Sequence, residues 1–280
     1  MTLGIIYCMI SFMKRKQIKA IIFDVDETLV VERVSEKTTF LSAFKQVAEE
    51  YNLSSEDLHN SLIEIGYRLW QESPHYPFVK EIGVGFREAF WGDFSGPGKE
   101  LARLAEWIPE YRKQVWQRLL REYGVDDPLA LTHLDRQSAL EREKYHVPFP
   151  EAEEVLKELR TAGYPLGVLS NGAPRVQRRK LEGAGLLCYF EEVLVSGDMG
   201  VGKPGKEPFL EIAKRFHCPP EELVMVGDNL EKDIKGAVAV GMPGILVERD
   251  AEDAVSHSDS SPASAIVRDL RQLPEILSSW

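Results

Sequence analysis

Cysteine is scarce in this chain. Cys8, Cys188 and Cys218 are odd in number and far apart. That spacing excludes a disulfide framework and a C-x-x-C zinc pattern, and it predicts a reducing compartment, the cytoplasm. Positive charge is in deficit as well. With 34 Lys and Arg against 45 Asp and Glu, the formal net charge is −11, which argues against sequence-independent binding to nucleic acid or to an anionic membrane, since both reward a basic surface. Long apolar runs are missing too. The opening "MTLGIIYCMISFMKRKQIK" sets a short apolar stretch ahead of its basic cluster, the reverse of a signal peptide, and the stretch is too short to span a bilayer. The expectation is no export and no membrane partner. Residues 1–17 read as an N-terminal extension, with Met13 a second possible start.

What the chain has is enough apolar residue for a substantial core: 44% of 280 positions, in one large domain or two. "IKAIIFDVDE" is an apolar, β-branched run ending in acids, the pattern of a buried parallel strand, placed at Ile18 to Asp24. "YPLGVLSNG", "EEVLVSGD", "EELVMVGDN" and "PGILVE" supply four more strand candidates, with "EAEEVLKELRTAG" and "KEPFLEIAKRFH" as helices among them. Alternating helices and short apolar strands predict an α/β fold, a doubly wound parallel sheet whose active groups sit at the carboxyl ends of the strands.

The stretch from Ser35 to His146 differs, with helical periodicity and no convincing strand. "KTTFLSAFKQVAEEYN", "SSEDLHNSLIEIGYRLWQE" and "AEWIPEYRKQVWQRLLREYG" read as amphipathic helices. The chain therefore divides into an α/β core over 18–34 and 147–280 and a helical insertion over 35–146, left through "HVPFPE" with its two stiffening prolines. Trp70, Trp91, Trp107 and Trp116 all lie in the insertion and read as packing residues. His75, Tyr76, Lys80 and Arg87 occupy an irregular stretch that could face a site or merely the surface. "DAEDAVSHSDSSPASA" reads as a mobile loop before the last element, "IVRDLRQLPEIL".

One motif misleads. "GDMGVGKPG" fits the G-x-x-x-x-G-K frame of a nucleotide-binding P-loop over Gly197 to Lys203, but the next residue is Pro204. A P-loop requires Ser or Thr there to ligate Mg²⁺, followed directly by a helix whose N–H groups hold phosphate. Proline has neither hydroxyl nor N–H.

The strand ends carry a more coherent set: Asp24 and Asp26 after the first strand, Ser170 and Asn171 after the second, Lys203 beyond the third, and Asp228 with Asp233 around the fourth. Parallel strands point the same way, so these groups can converge, and three or more converging carboxylates call for a hard cation, Mg²⁺. Each position also has a plainer reading. Asp24 and Asp26 could form a turn or cap, Ser170 and Asn171 a turn before Gly172, and Lys203 could be a solvated lysine. Asp233 could cap the helix "IKGAVAVGM".

Taken together, "DVDETL", "LSNG", "GKP" and "GDNLEKD" resemble the four motifs of the haloacid dehalogenase superfamily, in order and at successive strand ends, and the helical insertion resembles the cap of its C1 subgroup. The resemblance implies a phosphatase-like enzyme in which Asp24 is the nucleophile and Asp26 the acid and base. It implies Mg²⁺ held by Asp24, the Asp26 backbone carbonyl and Asp228, with Asp233 acting through metal-bound water. Thr28 and Ser170 with Asn171 would bind phosphate or hold the loop, and Lys203 would neutralise nucleophile and phosphate together. Asp26 favours phosphoryl transfer, because the dehalogenases of the family lack an acid at that position. Glu27 stands where Gly is frequent, as in certain nucleotidase-like members. The expected function is Mg²⁺-dependent hydrolysis of a small soluble phosphate ester. The alternatives are a sugar phosphomutase using the same aspartyl-phosphate, or a non-catalytic regulatory relative.

Overall fold

The computed structural model describes residues 17–249 and 261–280. Residues 1–16 of the expected N-terminal extension and most of "DAEDAVSHSDSSPASA" fall outside this range. Six parallel strands, β1 (Ala20–Phe23), β2 (Leu166–Ser170), β3 (Glu192–Val195), β4 (Leu223–Gly227), β5 (Gly244–Val247) and β6 (Ala265–Val267), form one sheet in the order β3-β2-β1-β4-β5-β6. The chain runs outward from β1 through β2 to β3, then returns to the other side of β1 for β4. That reversal leaves a crevice at the carboxyl ends of β1 and β4, the topological switch point at which open α/β sheets bind ligands.

Strand periodicity sorts the core. Ile21 and Phe23 of β1, with Val168, Val224 and Val226, face one side of the sheet. Ala20 and Ile22, with Leu223 and Met225, face the other. The first face is covered by α6 (Ala152–Thr161), α7 (Pro174–Gly183) and α11 (Leu273–Ser278), the second by α9 (Lys206–Arg215) and the short α10 (Gly236–Val238). Each fully buried Ile, Val or Phe contributes about 1.5–3 kcal/mol, and because both faces are covered the strands read as unbroken apolar runs rather than as alternations.

Between β1 and β2 the chain forms α1 (Glu32–Tyr51), α2 (Ser55–Gln71), α3 (Tyr76–Ile82), α4 (Lys99–Glu122) and α5 (Pro128–Arg142), with a 3₁₀ turn at Phe86–Phe90. Ser54 caps α2, its Oγ accepting from the Asp57 N–H, and Leu58, Leu62, Ile65 and Leu69 make the buried stripe. The helices close around Phe40, Phe44, Phe90, Tyr111 and Trp116, with the Phe90 and Trp116 rings 4.7 Å apart. Trp70 and Trp116 are buried, while Trp91 and Trp107 pack on the rim of this cluster.

The elements depart from expectation in several places. The stretch holding Tyr76 and Lys80 is helical, α3; it is only seven residues long, with Pro77 in its first turn and Gly83 (φ 76°) at its end, so no periodicity accumulates. α1 and α4 begin earlier than predicted, at Glu32 and Lys99, and α4 carries Pro109 inside it. α5, α7 and the sixth strand, β6, were not predicted. Asp233 is not a helix cap: the turn Leu230–Lys235 is capped by Asn229, whose side chain accepts from the Lys232 N–H. Among the described residues no helix is long and apolar enough to cross a membrane.

Candidate active site

Strand register brings the first cluster together. Phe23 pairs with Val168 on one side and Val226 on the other, so Asp24, one residue on, lies level with Leu169 and Gly227. Lys203 reaches into this level: its Nζ lies 2.8 Å from Asp24 Oδ1 and 2.7 Å from Asp233 Oδ1, and donates to the Leu169 carbonyl at 2.7 Å. Lysine and Asp233 are both buried. Carboxylate oxygens of Asp24, Asp228 and Asp233 come within 4.8 Å of one another. Three acids thus share one ammonium. Burial, with Asp233 adding, pushes the Asp24 carboxyl up to about 6 against the pull of Lys203. Burial with Asp24 and Asp233 pushes Asp228 up to about 8. Lys203, although buried, is held above its ordinary value by Asp233 and Asp24. An all-oxygen, charge-deficient cluster fits a hard divalent cation, which would offset the burial and the repulsion that raise Asp24 and Asp228.

Local backbone features hold these side chains. A Cβ on Gly227 would sit 2.4 Å from Asp233 Oδ2, so a glycine before Asp228 is what lets Asp233 fold back against β4, where it accepts from the Asn229 N–H at 3.0 Å. Asn171 grips the lysine's own peptide, donating to the Lys203 carbonyl (2.9 Å) and accepting its N–H (2.8 Å). The "GDMGVGK" stretch makes no phosphate cradle, because its lysine is committed to Asp24 and Asp233. Glu27 adopts φ 56°, a left-handed conformation that glycine takes without strain. Its carboxylate caps α1, accepting from the Glu32 (3.0 Å) and Arg33 (2.6 Å) N–H groups, a charge at the positive end of the helix dipole. Arg249, across the sheet, donates to the Glu27 and Thr28 carbonyls and pairs with Glu151 at 2.6 Å.

A second cluster surrounds Asp26. Lys180 of α7, 1% exposed, places Nζ 3.0 Å from both Asp26 oxygens, 2.9 Å from Glu32 Oε1 and 3.1 Å from Glu88 Oε1. Arg142 at the end of α5 pairs with the other Glu32 oxygen at 2.5 Å, and its guanidinium lies 4.7 Å from the Trp91 ring. Gln177, one turn before Lys180, donates to Asp26 Oδ2 and Glu88 Oε1, both at 3.3 Å. Burial raises the Asp26 carboxyl above its usual range despite Lys180, and raises Glu88 to about 6. Glu32 is lowered, since Lys180 and Arg142 together outweigh its burial. None of Lys180, Gln177, Glu32, Glu88 and Arg142 was anticipated. In sequence they are an ordinary lysine in "RRK", a glutamine and scattered ions, and their partners lie up to 154 residues away.

Asp24, Asp26, Ser170, Asn171, Lys203 and Asp228 line one cavity of about 400 Å³, with Arg33, Lys232 and, from the insertion, Gly83 and Arg87. Two predicted residues are not on its wall. Asp233 is buried against Lys203. Thr28 is fully buried with its hydroxyl unpartnered. Of the four insertion residues singled out in the sequence, Arg87 alone lines this cavity; His75 packs on the Trp107 ring at 5.3 Å, and Tyr76 and Lys80 line a separate groove.

A family model of haloacid dehalogenase-like hydrolases matches residues 18–241. The chain belongs to that family. It is 41% identical over 181 residues, 65% of this chain and 71% of the relative, to a phosphoserine phosphatase of Thermus thermophilus. It is 30% identical to a glyceraldehyde 3-phosphate phosphatase of Methanothermobacter thermautotrophicus across 93% of this chain and all of that one. Among solved structures, a 2-haloacid dehalogenase of Pseudomonas syringae superposes with a TM-score of 0.59 at 27% identity, covering 94% of this chain and all of that one. The HAD-hydrolase YfnB of Bacillus subtilis, solved bound to magnesium, superposes over the same shares with a TM-score of 0.61 at 23% identity. The haloacid dehalogenase-like fold accounts for the sheet order, and the Asp24–Lys203 pair and the acid cluster sit at its switch point.

Proposed function

We propose that this haloacid dehalogenase-like hydrolase is a Mg²⁺-dependent phosphomonoesterase for a short-chain phosphate ester, working through an aspartyl-phosphate on Asp24. The observation that carries this reading is the placing of Asp24, paired with Lys203 and flanked by Asp228 and Asp233, in the same cavity as a separately held Asp26. A nucleophile and an acid–base group with different partners can take different roles. Asp24 attacks phosphorus while the bond to the leaving oxygen breaks, and Asp26 gives that oxygen its proton. Asp26 then takes a proton from the water that attacks the phosphoryl group, releasing inorganic phosphate and restoring Asp24. Lys203 keeps Asp24 ionised and faces the transferring oxygens. Asp24, Asp228 and the Asp26 carbonyl would hold Mg²⁺, which when bound supplies charge screening for the phosphoryl group. Ser170, buried on the cavity wall with only long hydrogen bonds of 3.4 Å, is available to a phosphate oxygen.

The small volume and charged lining, with Arg33, Arg87 and Lys232 beside Glu27 and Glu32, suit a polar ester of a few carbons. The names of the relatives, phosphoserine and glyceraldehyde 3-phosphate phosphatases, agree with that size. The dehalogenase likeness is one of fold, and Asp26 with its own lysine argues for phosphoryl transfer. The test is a phosphate-release screen over O-phosphoserine, glyceraldehyde 3-phosphate, hexose phosphates and nucleoside monophosphates. Turnover should favour the three-carbon esters and disappear with chelator. Full activity in excess EDTA, or no release from any ester, would overturn the reading.

A further inference from the structure

We propose that Lys180, with Gln177 beside it on α7, is a positioning residue for Asp26, anchored by Glu32 at the start of α1 and by Glu88 of the insertion. This rests on the phosphatase reading above, in which Asp26 is the acid and base.

An ammonium has three protons, and those of Lys180 face four oxygens from three carboxylates: both of Asp26, one of Glu32 and one of Glu88, all within 3.1 Å. A buried lysine so surrounded has one orientation, and it fixes the plane of the Asp26 carboxylate. Gln177 repeats the connection independently, its single Nε2 bridging Asp26 Oδ2 and Glu88 Oε1 at 3.3 Å each. Of the lysine's other two partners, Glu32 starts α1 and Glu88 lies in the 3₁₀ turn of the insertion. Arg142 holds the far oxygen of Glu32, and the Trp91 ring lies 4.7 Å from its guanidinium and 5.6 Å from Lys180 Nζ. Asp26 is thereby tied, through one lysine and one glutamine, to the start of α1 and to the 3₁₀ turn of the insertion. Lys180 and Gln177 do not line the cavity, so they act through Asp26 and do not touch substrate.

The consequence is kinetic. Misplacing a catalytic group by about 1 Å costs on the order of 100-fold in rate, so Lys180→Met should lower kcat by about 10- to 100-fold with KM little changed. It should imitate Asp26→Asn with p-nitrophenyl phosphate, giving a burst of nitrophenol followed by slow hydrolysis of the phosphoenzyme. Gln177→Leu removes no charge and should fold; its kcat should fall by a smaller factor of about 3 to 10 with the same burst. The deciding measurement is a double-mutant cycle for each with Asp26→Asn. If the two residues act through Asp26, each substitution should cost less than about twofold once Asp26 is Asn. Losses of equal size in both backgrounds, or a lowered Tm with kcat intact, would overturn the positioning role, and the Gln177 cycle decides if Lys180→Met does not fold. Should Asp26→Asn itself turn over at the wild-type rate, the acid–base reading falls and the positioning role with it. A burst from Asp26→Asn with fully additive cycles removes only the latter.

Discussion

Two carboxylate clusters meet in one cavity and are satisfied differently. Around Asp24, three acids share one buried ammonium, Lys203. Around Asp26, Asp26, Glu32 and Glu88 share Lys180 and Arg142. The first cluster lacks positive charge and is built at the ends of β1 and β4; the second is nearly balanced by the protein's own cations and is built across α7 and the insertion. A site that is to take a cation must leave charge unmet, and a site that is to hold one proton-transferring group must not. On the proposed mechanism, the difference separates the environment of the nucleophile from that of the acid and base.

The sharpest way to break the comparison is at its two aspartates. Asp24→Asn should abolish turnover, by more than about 10⁴-fold as expected for loss of a nucleophile, whereas Asp26→Asn should slow it by about 10² to 10⁴-fold and leave a trappable phosphoenzyme. Equal residual rates in rapid-quench assays would erase the division of labour. Next in size are the two lysines. Lys180→Met strands buried carboxylates and should cost about 3–5 kcal/mol of stability, and added Mg²⁺ should recover little of it. Lys203→Met should lose stability that Mg²⁺ largely restores, because that cluster is the one suited to a cation. Thermal unfolding with and without Mg²⁺ tests this, and equal recovery of both variants would contradict it.

The pH dependence of metal stabilisation sharpens the contrast further. Asp24 and Asp228 are raised to about 6 and about 8, so without metal the folded chain binds more protons than the unfolded chain from the ordinary carboxylate range up to about pH 8. Their contribution to stability is present at low pH and is lost as pH rises through that window. A cation competes with those protons, so the rise in Tm on adding Mg²⁺ should be larger at pH 8 than at pH 6. A shift independent of pH would show that these acids do not hold the metal. Gly227→Ala should push Asp233 off β4, costing about 1–3 kcal/mol and weakening Mg²⁺ binding measured calorimetrically; unchanged affinity would mean that Asp233 takes no part. Smallest of all, Glu27→Gln should cost about 0.3–1 kcal/mol through the lost charge at the start of α1, read as a slightly lower Tm.

The parallel sheet, the helical insertion and the residues of the first cluster were legible in the chain before any coordinates, because each is written locally. A buried parallel strand is an unbroken apolar run, and the polar residues that follow it must lie at one edge of the sheet. Asp24, Ser170, Lys203 and Asp228 announced themselves in that way. Local writing also misleads where one short stretch serves two readings: "GDMGVGK" imitates a phosphate loop, and only the burial of Lys203 against Asp24 and Asp233 shows its use. Thr28 could be placed in the loop by sequence, but only the fold shows its side chain fully buried and off the cavity wall. The Asp26 cluster was out of reach altogether. Lys180 meets Glu32, Glu88 and Asp26 only after α7 packs beneath the insertion, and an ion's partner is set by distance in space, for which a sequence without regular spacing carries no signal.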